Sequence, residues 1–239
     1  MEQSQKTEIR INKYLSDAGI CSRREADRFV EAGRVSIDGK IALMGAKVRE
    51  GQKICIDGKP IEIEEEEILL AFYKPRGIVC TTSKKDKDNI VDFINYGKRI
   101  YPIGRLDKDS EGLILLTNKG EWVDAILRGS NYHEKEYIVH VDRPINEEFV
   151  RKMSSGMYLE EIDRNTRACK VTKLDEKSFK IILTQGFNRQ IRRMCEAVGY
   201  KVTRLKRIRV MNIELGKLKK GTYREVSEEE KKVLLSHLE

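Results

Sequence analysis

The sequence predicts an α+β protein with a small N-terminal domain and a larger C-terminal domain. Two observations lead to this class. First, short amphipathic helical segments and a β-turn signal lie close together at the beginning of the chain. Second, segments with strand periodicity alternate with segments of helix periodicity in the rest of the chain. An acidic run at residues 64–67, which we interpret as a linker, separates the two parts. We place the boundary between residues 66 and 67, so the predicted domains are residues 1–66 and 67–239.

The N-terminal domain is predicted to contain two helices and a short β-hairpin. Apolar residues recur at helical spacing over residues 11–18. Ser22, with Glu25 three residues later, has the spacing of a capping box, so a second helix starts there and stops at Gly33. Residues 35–39, Val-Ser-Ile-Asp-Gly, then alternate and end on a hairpin-turn signal.

In the larger domain, periodicity and turn residues predict more strands than helices. The predicted strands are residues 68–74, 113–118, 135–142, 178–184 and 207–215. The predicted helices are residues 121–127, 147–153, 189–198 and 228–238. Ser227 and Glu230 form a capping box that opens the last of these helices.

Composition limits the classes of function. No apolar run is long enough to cross a bilayer, and the first ten residues lack the apolar block of a signal peptide. The five cysteines are far apart and never form a Cys-x-x-Cys pair, and the three histidines offer no zinc-site spacing. We therefore expect a soluble, cytoplasmic protein with reduced thiols and no metal site.

Positive charge is concentrated in one stretch of the chain. The formal net charge is +8, and residues 185–209 carry eight basic residues against one acidic residue. Such a concentration is expected of a protein that binds a polyanion, because each phosphate contact releases condensed counterions. A solvated helix or strand face is the alternative explanation for the same run.

A charged turn, Gly-Arg-Leu-Asp-Lys-Asp-Ser-Glu-Gly, occupies residues 104–112 ahead of an apolar run. Functional residues favour loops that a rigid sheet holds in place. Asp107, Asp109 and Glu111 imitate the start of a calcium loop, but that loop needs a glutamate at its twelfth position, where this chain has Asn118. A glycosidase-like carboxylate pair and a plain turn are the other interpretations, and composition alone favours the plain turn.

Two segments near the beginning of the chain are Arg-Ile-Asn-Lys-Tyr-Leu-Ser-Asp-Ala-Gly-Ile-Cys-Ser-Arg-Arg-Glu-Ala-Asp at residues 10–27 and Gly-Arg-Val-Ser-Ile-Asp-Gly-Lys at residues 33–40. Together they closely resemble the S4 RNA-binding domain. The resemblance implies that the helix pair and the following turn bind structured RNA. Basic side chains on such a surface position phosphates without reading bases. The candidate residues are Arg10, Lys13, Arg23, Arg24, Arg28 and Arg34. A generic helical hairpin with an ordinary polar face is the alternative.

The charged turn has a resemblance of its own. Gly-Arg-Leu-Asp followed by Ser-x-Gly-Leu-x-Leu-Leu-Thr-Asn resembles the catalytic motif of pseudouridine synthases, in the group that holds the ribosomal synthases of types A, B, E and F. The resemblance implies a core with a mixed, mainly antiparallel sheet and flanking helices. It also implies that Asp107 is the essential carboxylate, that no metal or organic cofactor is used, and that Arg105 fills the gap left by an extruded base.

Two further segments resemble motifs of the same family. Lys-Glu-Tyr at residues 135–137 is similar to the Lys-x-Tyr motif of this family. The resemblance implies that Tyr137 stacks on the target base. A plain core tyrosine is the alternative. Asn-Arg-Gln-Ile-Arg-Arg-Met at 188–194 is similar to the motif whose Gln-Ile/Val-Arg arginine pairs with the catalytic Asp, which implies an Arg192–Asp107 pair.

The helical period places Arg189, Arg192, Arg193 and Glu196 opposite the buried stripe of the helix predicted over residues 189–198. On that face, Arg189 and Arg193 are candidates for phosphate contacts. Residues 185–196, with 199–200 and 209–212, are most similar to the type F synthases, which implies a uridine in a 23S rRNA stem-loop as the substrate. Related synthases act on tRNA anticodon loops, so tRNA stays open as a second substrate.

The expected reaction breaks the N1–C1′ bond of a flipped-out uridine and rejoins the base through C5. We expect the enzyme to work as a monomer. The rival from another class is a non-catalytic RNA-binding or ribosome-assembly factor that kept the S4 domain and lost the chemistry, because a fold alone never proves a function.

Overall fold

The computed structural model describes residues 8–61, 66–128 and 132–238, which form two compact units. The first unit contains the described residues up to Glu67 together with residues 118–120, and the second contains residues 68–117 and the described residues from Glu121 onward. Residues 64 and 65 of the predicted acidic linker lie outside the described residues. Within the described ranges, no helix combines the length and the apolar character needed to cross a membrane.

The first unit contains the two predicted helices, α1 (Ile11–Asp17) and α2 (Arg23–Glu31). Its strands are β1 (Ile9–Arg10), β2 (Val35–Ile37), β3 (Lys40–Ile41), β4 (Lys47–Val48), β5 (Ile54–Ile56) and β6 (Lys59–Pro60). The hydroxyl of Ser22 accepts a hydrogen bond from the Glu25 N–H at 3.2 Å, so the predicted N-cap of α2 is confirmed. Ile11 and Leu15 of α1 pack against Ala26 and Val30 of α2 in the core of this unit.

The predicted hairpin is confirmed and is part of a larger sheet. Asp38 and Gly39 have φ values of 49° and 79°, which match the type I′ turn that this dipeptide favours. β2 pairs with both β3 and β5, and β5 pairs with β6, giving the strand order β3-β2-β5-β6. The sequence prediction omitted β5 and β6 because strands of two or three residues are too short to show a period.

The second unit is built on one mixed sheet. The strands of this unit are β7 (Leu69–Lys74), β8 (Tyr101–Ile103), β9 (Glu111–Thr117), β10 (Lys135–Val141), β11 (Tyr158–Leu159), β12 (Arg164–Asn165), β13 (Lys170–Lys173), β14 (Ser178–Leu183), β15 (Val202–Val210), β16 (Ile213–Glu214) and β17 (Tyr223–Glu225). β11 and β12 pair with each other in a small separate sheet, and the other strands form the mixed sheet. The sheet has the order β13-β14-β10-β15-β9-β7-β17, with β16 beside β15 and β8 beside β9. Among the described strands, β15 and β9 form the one parallel pair of this sheet, so the prediction of a mixed, mainly antiparallel sheet is confirmed.

Helices cover both faces of this sheet. The helices are α3 (Ile90–Ile94), α4 (Gly120–Leu127), α5 (Glu147–Ser154), α6 (Gln190–Ala197) and α7 (Glu228–Ser236). α3, α5 and α6 pack on the face that carries Phe72 and Ile114, and α4 and α7 pack on the face that carries Ala71 and Leu115. β7 and β9 are therefore buried along their whole length, which explains why their sequences read as continuous apolar runs.

The strand predicted over residues 207–215 is the main difference. β15 starts earlier, at Val202, and it ends at Val210, because Met211 has a φ of 51° and turns the chain back so that β16 pairs with β15. The prediction also omitted β8, β13, β17 and α3, each of which has at most five residues. The capping box of Ser227 and Glu230 at the start of α7 is confirmed in both directions.

Gly112 lets β15 lie against β9. Its φ is 114°, which side chains rarely adopt, and a Cβ at this position would overlap the backbone N, C and O atoms of Arg207. Arg207 and Gly112 are register partners in the parallel β15–β9 pair. The absence of a side chain at residue 112 is thus a condition for the central strand pairing.

Glu111, immediately before this glycine, is a buried carboxylate held by two cations. Its side chain is 1% exposed, and its oxygens lie 2.5 Å from Arg204 Nε and 2.7 Å from Lys220 Nζ. Burial alone would raise the pKa of Glu111, but the hydrogen bonds from Lys220 and Arg204 outweigh it and the pKa is lowered. The start of β9 is thereby tied to β15 and to the segment before β17.

We predict that Gly112→Ala lowers the free energy of unfolding by about 3 kcal/mol or more, because the new methyl group forces β15 away from β9. Gly216→Ala is the matched control, since Gly216 also has a positive φ, 52°, but nothing within 4 Å of the added methyl. That variant should lose only about 1–2 kcal/mol, the cost of a left-handed backbone for alanine. Urea unfolding measures both, and equal losses would contradict the steric argument.

We predict that Glu111→Gln destabilises the protein at neutral pH by more than about 1 kcal/mol, because two charged hydrogen bonds are weakened. A lowered folded-state pKa contributes stability above the unfolded pKa, and this contribution is lost as the pH falls through the folded value. The stability difference between wild type and Glu111→Gln should therefore shrink steadily below about pH 4, near the ordinary glutamate pKa. A difference that stays constant down to acid pH would disprove the ion pairing.

Candidate active site

A row of residues in register crosses the centre of the sheet. Tyr137 of β10 is opposite Arg207 of β15, Arg207 is beside Gly112 of β9, and Gly112 is opposite Lys74 of β7. Residues 104–110 of the charged turn directly precede β9, which includes the last two residues of that turn, so strand pairing brings the turn next to β10 and β15. One cavity of about 1030 Å³ is lined by residues 104–110, by residues of β10 and β15, and by residues 185–192.

Asp107 lies on the wall of this cavity, and its side chain is 29% exposed. Backbone contacts hold the turn around it. The Ser110 N–H donates to the carbonyl of Asp107 at 3.0 Å, and the Gly77 N–H donates to the carbonyl of Lys108 at 2.7 Å. The Leu106 N–H donates to the sulfur of Cys80 at 3.3 Å. The carboxylate therefore stands on a turn that is fixed at three points and still reaches solvent.

Lys74 braces the segment that supports this turn. Its side chain is fully buried, and its ammonium donates to the carbonyls of Pro75 at 2.9 Å and Ile78 at 2.8 Å. Burial lowers the pKa of Lys74. The sequence alone gives no sign of this role, because a lysine at the end of an apolar strand looks like an exposed strand end.

The predicted Arg192–Asp107 pair is not formed. The guanidinium of Arg192 lies 3.1 Å from the Asp109 carboxylate and donates to Ser110 Oγ at 3.3 Å and to the carbonyl of Val202 at 3.3 Å. Arg189, at the N-cap of α6, is the arginine beside Asp107, with its Nη1 3.8 Å from the Asp107 carboxylate. Arg192 reaches the far side of the same turn and holds it there.

Arg192 is buried although it lies opposite the apolar stripe of α6. Its side chain is only 8% exposed, and its neighbour Gln190 is buried as well. The first turn of α6 packs against both the sheet and the charged turn, so the face opposite its apolar stripe is covered too. The helical period identifies one buried face but gives no information about a second contact from elsewhere in the chain.

Tyr137 belongs to both the core and the cavity. It is 9% exposed, it packs in the same cluster as Val139 and Val141, and it also lines the cavity near Asp107. This position is therefore compatible with both interpretations of Tyr137, a core tyrosine and a base-stacking tyrosine. Its ring is fixed by packing and forms part of the cavity wall.

Two further cations line the cavity beside Tyr137. Lys135 donates to the carbonyl of His133 at 3.2 Å, and burial, with a smaller effect from Arg207, lowers the pKa of Lys135 to about 8. Arg207 is 3% exposed and donates through Nε to the carbonyl of Leu113 at 2.7 Å. The sequence alone predicts no role for either cation, although the two-residue spacing from Tyr137 already places Lys135 on the same strand face.

The remaining basic candidates of the larger unit divide between the cavity and the surface. Arg105 and Arg189 are exposed and line the cavity. Arg193 forms an ion pair with Glu161. The structure thus brings two of these three arginines to the candidate site.

The basic candidates of the N-terminal unit are largely on its surface. Arg10, Arg23, Arg24, Arg28 and Arg34 are exposed, and Lys13 is half-buried. Lys13 pairs with Asp17 at 3.3 Å. Arg34 makes a bidentate pair with Asp57, with a shortest distance of 2.6 Å, and lies over the ring of Phe29. Contacts with RNA stay a prediction for all six.

Known proteins resemble the chain over nearly its whole length. Residues 68–197 match the family described as RNA pseudouridylate synthase, and residues 9–54 match the S4 domain. The dual-specificity RNA pseudouridine synthase RluF of Escherichia coli K12 is 52% identical over 224 residues, which is 93% of this chain and 77% of that protein. The ribosomal large subunit pseudouridine synthase B of Bacillus subtilis 168 is 36% identical over 232 residues, covering 94% and 95% of the two chains.

A solved structure shares the fold. The crystal structure of a pseudouridylate synthase superposes with a TM-score of 0.70 at 28% identity and covers 95% of this chain and 99% of its own.

We predict that Arg192→Ala and Arg189→Ala differ in stability. Arg192→Ala removes hydrogen bonds to partly buried acceptors and should cost about 2–3 kcal/mol. Arg189 is 41% exposed and joins its carboxylates at the surface, so its removal should cost less than about 1 kcal/mol. Guanidinium unfolding compares the two, and equal stabilities would show that Arg192 does not hold the turn.

Proposed function

Because the chain belongs to the RNA pseudouridylate synthase family, we propose that it converts a specific uridine in a 23S rRNA stem-loop into pseudouridine, with Asp107 as the catalytic carboxylate. The name of the B. subtilis relative refers to the large ribosomal subunit, which supports an rRNA substrate. The E. coli relative is named as dual-specific, which supports a second RNA substrate, and a tRNA anticodon loop is the candidate.

The observation that carries the proposal is the position of Asp107. Its partly exposed carboxylate faces a cavity of about 1030 Å³ that also includes the ring of Tyr137. Binding sites for small ligands typically enclose about 300–1,000 Å³, so the cavity has room for one flipped nucleotide. An aromatic wall beside a carboxylate suits a reaction on the glycosidic bond of a stacked base.

The mechanism begins with base flipping, because a stacked loop or a duplex hides C1′ of the target nucleotide. Tyr137 then stacks on the extruded uracil, an interaction worth about 1–3 kcal/mol per base. Asp107 acts beside C1′ as a nucleophile or as a base while N1 separates from the sugar. The base turns within the closed site and rejoins through C5, and the C5 hydrogen is released.

The arginines have separate roles in this proposal. Arg189 places positive charge 3.8 Å from the Asp107 carboxylate and orients it. Arg192 is a positioning residue, because it fixes the turn through Asp109 and Ser110. Arg105, exposed at the cavity, would fill the gap left by the extruded base.

The other basic candidates would contact phosphates. We propose this role for Arg193 in the catalytic domain and for the surface of the S4 domain. Arg189, which is exposed, would contact a phosphate in addition to orienting Asp107. The S4 residues concerned are Arg10, Lys13, Arg23, Arg24, Arg28 and Arg34. Assignment of residues 1–66 to the S4 domain and linker and of 67–239 to the catalytic domain is likewise a proposal, supported by the division of the compact units after Glu67.

Location and oligomeric state are further proposals. A cytoplasmic protein is supported by five cysteines that are all free in the structure, as expected in a reducing compartment. A monomeric state stays the expectation stated from the sequence.

We predict that Asp107→Asn lowers the release of tritium from RNA labelled at uridine C5 by at least about 1000-fold, because amide and carboxylate have the same shape but the amide cannot act as nucleophile or base. The folding stability and RNA affinity of the variant should stay near those of wild type.

Asp88→Asn is the control for this experiment. Asp88 is an exposed carboxylate that pairs with Lys108 at 3.1 Å, and it lines no part of the cavity near Asp107. Its replacement should leave tritium release intact. Near-normal release by Asp107→Asn would remove Asp107 from the mechanism, and no release by wild type on any rRNA or tRNA would favour the non-catalytic RNA-binding factor.

A further inference from the structure

Lys135 and Arg207 are two cations at the candidate site that the proposed mechanism leaves unused. Lys135 is two residues before Tyr137 on β10, so both side chains project from the same face of the strand. Arg207 on β15 is the register partner of Tyr137. All three residues line the cavity. The ring on which the base would stack is therefore flanked by positive charge on two sides.

Arg207 has a donor available for a ligand. Its side chain is 3% exposed, and Nε is engaged with the carbonyl of Leu113, but among the described residues its buried Nη2 has no hydrogen-bond partner. Lys135 makes one hydrogen bond to a described residue, to the carbonyl of His133, although an ammonium has three donors. A buried donor without an acceptor costs free energy, so a ligand that accepts hydrogen bonds is favoured here.

The reaction supplies such a ligand. When Asp107 attacks the sugar, an O–C1′ bond forms as the N1–C1′ bond breaks, and the electron pair of that bond stays on the base. The product is a uracil anion whose charge is spread over N1, O2 and O4. The C5–C1′ bond then forms as the O–C1′ bond breaks, C5 loses its hydrogen as a proton, and N1 gains one. A route that begins with removal of a sugar proton gives the same anion.

We propose that Lys135 and Arg207 form an anion site for the detached uracil, in which they donate hydrogen bonds to its carbonyl oxygens. This inference rests on the proposed function. The cations stabilise the charge that develops as N1–C1′ breaks, and they hold the base against Tyr137 while it turns. Donors of this kind, fixed before the reaction and aimed at developing charge, are each worth about 10²–10³ in rate.

The arrangement of charge in the cavity fits this assignment. The carboxylates stand on the turn before β9, whereas Lys135 and Arg207 stand on the strands beside the stacking ring. The cavity is lined by further charged or titratable groups that face Lys135. They are Arg207 and Tyr137 on the strands, Asp107, Asp109, Arg105 and Lys108 on the turn, Arg76 and Cys80 after β7, Arg189 at the N-cap of α6, and Arg192 of α6. The negative charge that develops on the uracil therefore lies beside the cations, on the side of the cavity away from the Asp107 carboxylate.

The test is the single-turnover rate of conversion of an RNA stem-loop that contains the target uridine or 5-fluorouridine. Lys135→Met should lower the rate on uridine by about 10²–10³ while RNA affinity stays within about threefold, because the cation acts on charge formed in the reaction. On 5-fluorouridine, followed as loss of the N-linked nucleoside, the deficit should shrink by about tenfold or more. The more acidic 5-fluorouracil is a better leaving group and depends less on the cation.

Two further variants separate charge from structure. Lys135→Arg keeps the charge and should stay within about tenfold of wild type. Lys206→Met is the matched control, because Lys206 lies on the other face of β15 over the ring of Tyr73 and lines no part of the cavity. Its rates should equal those of wild type. Lys135→Gln replaces Lys135→Met if thermal melting shows that the methionine variant is unfolded.

The pH dependence gives an independent measurement. Lys135 has a pKa of about 8, so it is charged at neutral pH and loses its charge as the pH rises through that value. The wild-type rate on uridine should therefore fall above pH 8, and Lys135→Arg should shift this decline to higher pH, because an arginine side chain keeps its proton.

The outcomes test the proposed function and the anion site separately. An inactive wild type would overturn the proposed function and this inference with it. An active wild type, combined with unchanged rates in Lys135→Met, would overturn only the anion site. A deficit in Lys135→Met of the same size on uridine and 5-fluorouridine would also overturn it, because a merely structural role is indifferent to the leaving group.

Discussion

The close approach of β15 to β9 is the constraint on which the candidate site depends. These strands form the parallel pair at the centre of the sheet, and they can meet only because Gly112 has no side chain to collide with the backbone of Arg207. The same contact places Arg207 beside Tyr137 on one side and the charged turn on the other. One missing Cβ thus sets the distance between the carboxylate, the aromatic ring and the cations.

Rigidity around Asp107 comes from buried polar groups that have partners. The ammonium of Lys74 fixes the carbonyls of residues 75 and 78, the Gly77 N–H holds the turn at Lys108, and Arg192 holds it from the other side through Asp109. Lys74 and Arg192 are themselves buried, and an unpaired polar group in such surroundings is costly. The turn has little freedom to rearrange, which suits the reaction proposed above on one atom of a flipped nucleotide.

Each group of charged side chains around the cavity lies on a different structural element. The carboxylates lie on the turn, α6 supplies Arg189 and Arg192 around them, and the strands supply Lys135 and Arg207 beside the ring. The pKa of Lys135 is lowered to about 8 mainly because the side chain is buried, and to a smaller extent because the Arg207 guanidinium is nearby. Membership of the RNA pseudouridylate synthase family gives these charges a chemical context, because breaking a glycosidic bond moves an electron pair from the sugar to the base.

The sequence by itself determined the class of fold, the caps of α2 and α7, the hairpin turn at residues 38–39 and the family, because these depend on local spacing and on contiguous motifs. Only the tertiary structure decided which arginine stands beside Asp107, that Arg192 is buried, and that Lys74, Lys135 and Arg207 surround the site. Those facts depend on contacts between segments far apart in the chain. A period of 3.6 or 2 residues describes one face of one element and cannot specify what packs against it.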